Sequence, residues 1–588
     1  MAKRIAAKMH DCFVVSTSEF NKGLLMKNCI LIYPPNSSVY AIKHQSDYLY
    51  YSEEYVVIPT GLLCLATYCK NNGDFNINIL NLSYEYVTYL EELKDESRKS
   101  GNGIDFDYEE YLRDILTKYC IEYKPELIGI SGLFDHSLGH IRLISSIVKQ
   151  LSKDIIVVAG GNAVTNMPGK FLETDTDAVT LGHGEEPLFE LMNSSDPNKY
   201  LSSSLKWATK SKPDSQHNLY TKLNDISPLR WDLIDLNAYQ KLLGISKGLY
   251  NRGKSPRRIA SLVSSRGCPF KCSFCAMHTV HGRTVHSVDV SRFLEEVKFL
   301  HNEYDINVLS IEDDTFNFNK KRAIEILEGI HKISNKIEVE IPSGFALQLM
   351  DEELIATLKN CGVKWQQIAI ESANKEILNK VIHKPLKIEK AIEVIDLLQK
   401  YDIYVRAFFI LGFPTETKEQ MEETIQFMLD NRINWNGIGM LKPISGSEIR
   451  EVCEDSNYII TSDSEMSTER LGSIRTEHFT PEEVDEIVYN ANIKVNFVNN
   501  YDLFRGGKPE KAIIGFDNVL TRAPEHLFAL YYKAVAYERM NDNENAIEYF
   551  RKANSVMQST NKWDKLVEEH GLKDLIERGT WLSHKVGD

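Results

Sequence analysis

No apolar run in this chain approaches the roughly 18–20 residues that cross a bilayer, so no membrane span is expected. The opening Met1-Ala2-Lys3-Arg4-Ile5-Ala6-Ala7-Lys8 has no apolar stretch behind it and does not read as a secretory leader. Basic charge is in deficit: 83 acidic against 68 basic side chains leave a net −15. Such a chain lacks the basic footprint of a duplex nucleic-acid binder. A cytoplasmic protein with no nucleic-acid partner is expected. Cysteine is sparse, ten in 588 residues, and seven of the ten are scattered as in a reducing compartment. What the chain does have is length for three or four domains and 43% apolar residues to fill their cores.

The other three cysteines are clustered in Ser265-Arg266-Gly267-Cys268-Pro269-Phe270-Lys271-Cys272-Ser273-Phe274-Cys275. Three thiolates spaced C-x3-C-x2-C can ligate three irons of a 4Fe–4S cube, which ordinarily takes four protein thiolates. The open iron then suits S-adenosylmethionine (SAM), whose amino and carboxylate groups can chelate it. Zinc is the rival, with Cys268, Cys272, Cys275 and His278 or His281 as ligands. No second C-x2-C or H-x3-H unit follows, and a disulfide has no secretory context to form in.

Upstream, strands alternate with helices. Ile30–Tyr33, Ile77–Leu80, Leu127–Ser131 and Ile155–Gly161 read as strands, and 60–71 as a helix with Leu62, Leu63, Leu65, Ala66 and Cys69 on its apolar face. Glycines at strand ends, as in Ala159-Gly160-Gly161 and Gly182-His183-Gly184-Glu185, describe a doubly wound parallel sheet. Ligands bind such sheets outside the carboxyl ends of the strands. Downstream, strands near 259–264, 307–312, 337–344, 366–371, 403–411 and 437–441 alternate with helices near 288–302, 319–334, 351–361, 374–382, 387–401 and 416–431. Six such units make a partial (β/α)6 barrel, with its site at the strand C-terminal ends.

Residues 259–450 resemble the radical SAM superfamily core, and more narrowly its subgroup with an N-terminal cobalamin-binding domain. The resemblance gives Cys268, Cys272 and Cys275 to the cluster. It gives Phe274, one of Glu312, Asp313 and Asp314, Glu371, Ser372 and Gly412 to SAM. The Gly-Gly-Glu form is missing at 312–314, and Gly344-Phe345-Ala346-Leu347-Gln348 lacks the arginine many relatives carry. Residues 28–195 resemble the subgroup's cobalamin domain, with Ser131, Gly160, Gly161, Gly182, Gly184 and Glu185 around the corrin nucleotide tail. A flavodoxin-like domain without cobalamin is the plainer alternative. The Asp-x-His-x-x-Gly signature is absent after the first strand, where Pro34-Pro35-Asn36 stands, so cobalamin is expected without a lower-face histidine. His136 and His140 read as helix-start or groove residues.

Residues 1–27 read as an extension, 196–258 as a linker and 451–505 as a helical connector. Within 506–588, Glu510-Lys511-Ala512-Ile513 recurs as Glu544-Asn545-Ala546-Ile547, and Phe516 as Phe550, an offset of 34 residues. That is the tetratricopeptide period, over about one and a half repeats. Such a segment either caps the core or docks a protein or peptide partner.

The fold expected is α/β: a cobalamin-binding-like sheet, a partial radical SAM barrel and a C-terminal helical repeat segment. The resemblance implies an enzyme that methylates an unactivated carbon through a 5′-deoxyadenosyl radical and methylcobalamin. Its substrate class is a natural product, lipid or peptide, and a flavodoxin- or ferredoxin-type donor supplies electrons. Cyclisation or rearrangement without net methylation is one alternative, and a non-catalytic metal- or corrinoid-binding protein the other. No residue is assigned to proton transfer, because radical abstraction does not require one.

Overall fold

The computed structural model describes residues 27–44, 56–100, 106–243, 257–460 and 474–572. The chain start and parts of the expected linker and connector lie outside the described residues. Among these residues no helix is long and apolar enough to cross a membrane.

The N-terminal unit is a five-stranded sheet of β1 (Asn28–Tyr33), β2 (Asn76–Asn81), β3 (Leu127–Ser131), β4 (Ile156–Gly160) and β5 (Ala178–Val179). All pairings are parallel, in the order β2-β1-β3-β4-β5. The strands are nearly continuous apolar runs because helices cover both faces. Ile30, Ile32, Ile128 and Ile130 pack on one side, and Cys29, Leu31 and Leu127 on the other. The order reverses between β1 and β3, which opens a crevice at their carboxyl ends.

The expected linker is largely folded. Pro197–Ser203 is helical, and His217–Asn218 pairs in parallel with Leu181–Gly182. Trp207 and Trp231 are buried. Glu296 pins the segment that enters the barrel: its carboxylate accepts from Leu229 N, Trp231 Nε1 and Ser227 Oγ at 2.9, 2.9 and 3.1 Å.

Six barrel strands follow: β6 (Ile259–Leu262), β7 (Val308–Ile311), β8 (Glu338–Glu340), β9 (Trp365–Glu371), β10 (Tyr404–Leu411) and β11 (Trp435–Met440). They form two parallel arcs of three, β8-β7-β6 and β9-β10-β11, instead of one continuous sheet. β8 is only three residues long, and no ladder joins it to β9. Side chains bridge the seam, with Gln366 Nε2 donating to Ile341 O at 3.3 Å and Lys364 paired to Glu338 at 2.9 Å. The helix expected over 374–382 is present at 375–381 and widens to a π turn over Ile377–Val381.

The C-terminal region is helical over Pro509–Arg522, Leu527–Arg539, Asn543–Ser559 and Asp564–Glu569. The repeated positions Ala512, Ala546, Phe516 and Phe550 are all buried. They share a core with Trp365, Tyr404 and Trp435, the first residues of β9, β10 and β11. This region therefore closes the barrel at the end opposite the strand carboxyl termini.

Alanine in place of a helical glycine ordinarily stabilises by about 1 kcal/mol. At Gly515 the added Cβ would run into the Trp435 ring. Gly515→Ala is expected to destabilise by about 1–3 kcal/mol. Urea unfolding followed by tryptophan fluorescence measures it, and a gain in stability would contradict the packing described.

Candidate active site

Three carboxylates hold the chain that enters the cysteine loop. Asp313, fully buried, accepts from Ser264 N and Ser265 N at 2.6 and 3.0 Å and from both serine hydroxyls at 2.6 Å. Asp314 accepts from Gly267 N at 2.7 Å. Glu185 arrives from the N-terminal unit and pairs with Arg266 at 2.7 Å. Of the three acidic candidates at 312–314, Asp313 has its lone pairs committed inside the protein. Glu312 is exposed at the barrel mouth, accepting only from the Ser310 hydroxyl beside it.

The three thiols lie within electrostatic reach of one another and of Glu371 and Asp314. Among the described residues, no three His, Cys, Asp or Glu side chains converge closely enough to hold one ion. Three thiolates that each meet a different iron are what a 4Fe–4S cluster asks of this loop. His281 has another task, accepting or donating at 2.9 Å to His183. Burial pushes the Cys272 thiol up to about 11, with Lys384 pulling the other way. Cluster assembly, which needs thiolates, therefore releases protons.

The far wall brings together most of the expected SAM residues. Phe274 meets Phe413 edge-on at 6.4 Å, next to Gly412. Glu371 sits at a bulge with φ +72 and pairs with Lys384 at 3.0 Å. A non-glycine residue held in the left-handed region is a strained backbone of the kind found at ligand sites. Ser372 is fully buried and lies behind the wall, its hydroxyl 3.2 Å from Thr424 Oγ1 and accepting from Asn374 N. Gly412 carries φ +87, and its amide, with that of Phe413, donates to the buried Glu416 carboxylate at 2.7 and 3.1 Å.

The cobalamin-type edge faces this loop. Ser131, Gly160, Gly161, Gly182 and Gly184 all lie at strand carboxyl ends. Leu133 and Phe134 stand 37% and 40% exposed beside the β1/β3 crevice, an apolar surface suited to a corrin ring. Two glycines have a reason other than ligand approach. A Cβ on Gly161 would lie 2.7 Å from Gly132 O, and one on Gly182 would strike Asn218 O. Glu185 is a correction of a different kind: its carboxylate is taken by Arg266 instead of facing the groove. His140 is structural, bonded to Tyr108 Oη and Ser37 O at 2.9 and 2.7 Å.

The Gly182-His183-Gly184-Glu185 turn thus grips the cysteine loop at both ends, Arg266 before it and His281 after it. Tyr220 N donates to His183 Nδ1 at 2.9 Å, which assigns the proton to Nε2 and its bond to His281 Nδ1. Burial holds both imidazoles near 4, so the contact is between neutral rings at neutral pH. Asn162 Nδ2 and Met277 Sδ, 3.7 Å apart, extend the same contact.

Residues 262–428 match the family model of the Radical SAM superfamily, and residues 52–192 that of the B12 binding domain. The chain is a cobalamin-dependent radical SAM enzyme. Its cofactors are a 4Fe–4S cluster, SAM and cobalamin. An uncharacterized methyltransferase of Pyrococcus horikoshii is 26% identical over 428 residues, covering 71% of this chain and 88% of that protein. An anaerobic magnesium-protoporphyrin IX monomethyl ester cyclase of Rubrivivax gelatinosus is 25% identical over 317 residues, 53% of this chain and 55% of that one. The solved cobalamin-dependent S-adenosylmethionine radical enzyme OxsB shares the fold. Its TM-score is 0.61 at 13% identity, over 94% of this chain and 84% of that one.

Sequence reasoning missed three residues of this radical SAM enzyme's site, Arg266, His183 and Lys384, and read His281 only as an alternative zinc ligand. Arg266 abuts the cysteine motif, but its partner is 81 positions away in another unit. Lys384 follows an irregular turn with no motif to mark it.

Glu416 supplies a pH test. Burial raises its carboxyl from 4.5 to about 7, against the lowering effect of the two amides it accepts from. A carboxyl with a raised folded pKa contributes stability that is full below about pH 4.5 and lost as pH rises through about 7. Glu416→Gln removes that titration. Between about pH 5 and 8 the variant should lose about 2–3 kcal/mol less stability than wild type. Equal losses in urea titrations would contradict it.

Proposed function

We propose that this enzyme methylates an unactivated carbon of a small-molecule or peptide substrate. The observation that carries this reading is the double grip of the cobalamin-type edge on the cysteine loop, which opens both cofactor sites on one barrel mouth. When bound, the cluster supplies the electron that opens SAM, and cobalamin supplies a carrier for the methyl group.

The chain's own residues divide the work. Cys268, Cys272 and Cys275 hold three irons and leave the fourth for SAM. Glu312, exposed at the mouth, is the acidic residue we assign to the SAM amino group. Asp313 and Asp314 position the loop instead. Phe274 and the Gly412 turn line the adenine side, with Glu371 beside them. Ser372 supports this wall through Thr424. On the facing edge Ser131, Gly160 and Gly184 border the cobalamin tail, while Gly161 and Gly182 shape the turns. The C-terminal helices act first as a floor under the barrel; docking of a protein or peptide partner on their outer face stays a secondary role.

A second reading, cyclisation or rearrangement without net methylation, has the cyclase relative in its favour. One anaerobic experiment separates the readings. Protein reconstituted with iron, sulfide and hydroxocobalamin is desalted, then given SAM, a reductant and a substrate panel. Methylation predicts 5′-deoxyadenosine and a product heavier by one methylene unit. Cys272→Ala should lose the cluster absorption and both products while keeping the cobalamin bands. A product of unchanged mass would favour the second reading, and a cluster without cobalamin would overturn the proposal.

A further inference from the structure

Strand β10 sends Val405, Ala407, Phe409 and Leu411 outward into the helix-covered core. The alternate residues Tyr404, Arg406, Phe408 and Ile410 face the barrel interior. Tyr404 belongs to the aromatic floor with Trp365 and Trp435. Arg406 is the next layer up, and its guanidinium lies over the Phe408 ring at 4.6 Å. Its Nε is buried without a hydrogen-bond partner, and among the described residues no carboxylate pairs with it. Glu340, on the opposite arc, is already paired with Arg257.

A cation partly withdrawn from water gains from an opposite charge that offsets its lost hydration. Lysine can escape by losing its proton, but arginine cannot. Arg406 is half-buried, and with no carboxylate competing for it among the described residues, an anion entering the barrel would find its guanidinium open. Space opens above it: the Phe408 ring already fills the place of a Cβ on Gly437, but Gly439 stands opposite Ile410 and a Cβ there would meet nothing within 4 Å.

We propose that Arg406 is the anchor for an anionic group of the substrate, a carboxylate or phosphoryl group bound inside the barrel. Its planar fork suits either in bidentate form. Phe408 lies roughly 13 Å of strand below Gly412, so the anion marks the far end of an extended substrate whose reacting carbon points to the mouth. This rests on the barrel being the substrate chamber of the proposed reaction.

The test uses the full chain and simple anions: inorganic phosphate, acetate and chloride at equal ionic strength, with thermal unfolding and calorimetric binding as readouts. Phosphate or acetate should raise the wild-type Tm, and whichever acts identifies the group. Arg406→Gln should bind that anion about tenfold or more weakly. Without anion its Tm should not fall, because the substitution removes an unpaired charge. Arg406→Lys should fall between the two in binding. Anion effects equal in wild type and Arg406→Gln would overturn the proposal. So would a large Tm loss in the anion-free Arg406→Gln protein, which marks a structural role, or wild-type binding by Arg406→Lys. Because binding is read without SAM turnover, failure here would leave the proposed reaction standing.

Discussion

The buried ion pair between Arg266 and Glu185 is the contact on which the site depends. Both side chains are enclosed, at 11% and 2% exposure, so neither can be left alone without a large desolvation penalty. Burial raises the Glu185 carboxyl, but the Arg266 guanidinium beside it more than reverses this and keeps it charged. The pair joins the unit that carries cobalamin to the residue two positions before the first cluster cysteine. With Asp313 and Asp314 pulling on the same segment from the barrel, the loop is fixed from two domains at once.

This arrangement explains why most polar groups near the loop are structural. Asp313 accepts four hydrogen bonds from two serines, and the neutral His183–His281 contact closes the loop's far end. The groups left accessible are fewer: the thiols, Glu312 and Phe274, with the strained Glu371 buried beside them in its pair with Lys384. A second division runs along the barrel axis. The residues we assign to the cofactors lie at the strand carboxyl ends, while aromatic residues and the C-terminal helices seal the opposite end.

Local patterns were legible in the sequence, and long-range pairings were not. The three cysteines, the strand-end glycines and the six β/α units can be read because each depends on near neighbours. Glu312, Asp313 and Asp314 cannot be ranked from sequence, since their difference lies in partners about fifty positions away. Glu185 reads as a ligand contact for the same reason, its arginine being remote. The helix expected near 374–382 is there, but its widening to a π turn at Ile377–Val381, just before Lys384, has no mark in the sequence. The repeat near 512 and 546 was visible, but the barrel strands it packs under were not.

The direct test of the two-domain grip is hydrogen exchange on the full chain, comparing wild type with Glu185→Gln. The substitution lies in the N-terminal unit, yet it should speed exchange at 264–282 in the barrel as well as at 181–187. Loosening confined to 181–187, with the cysteine loop as protected as in wild type, would contradict it.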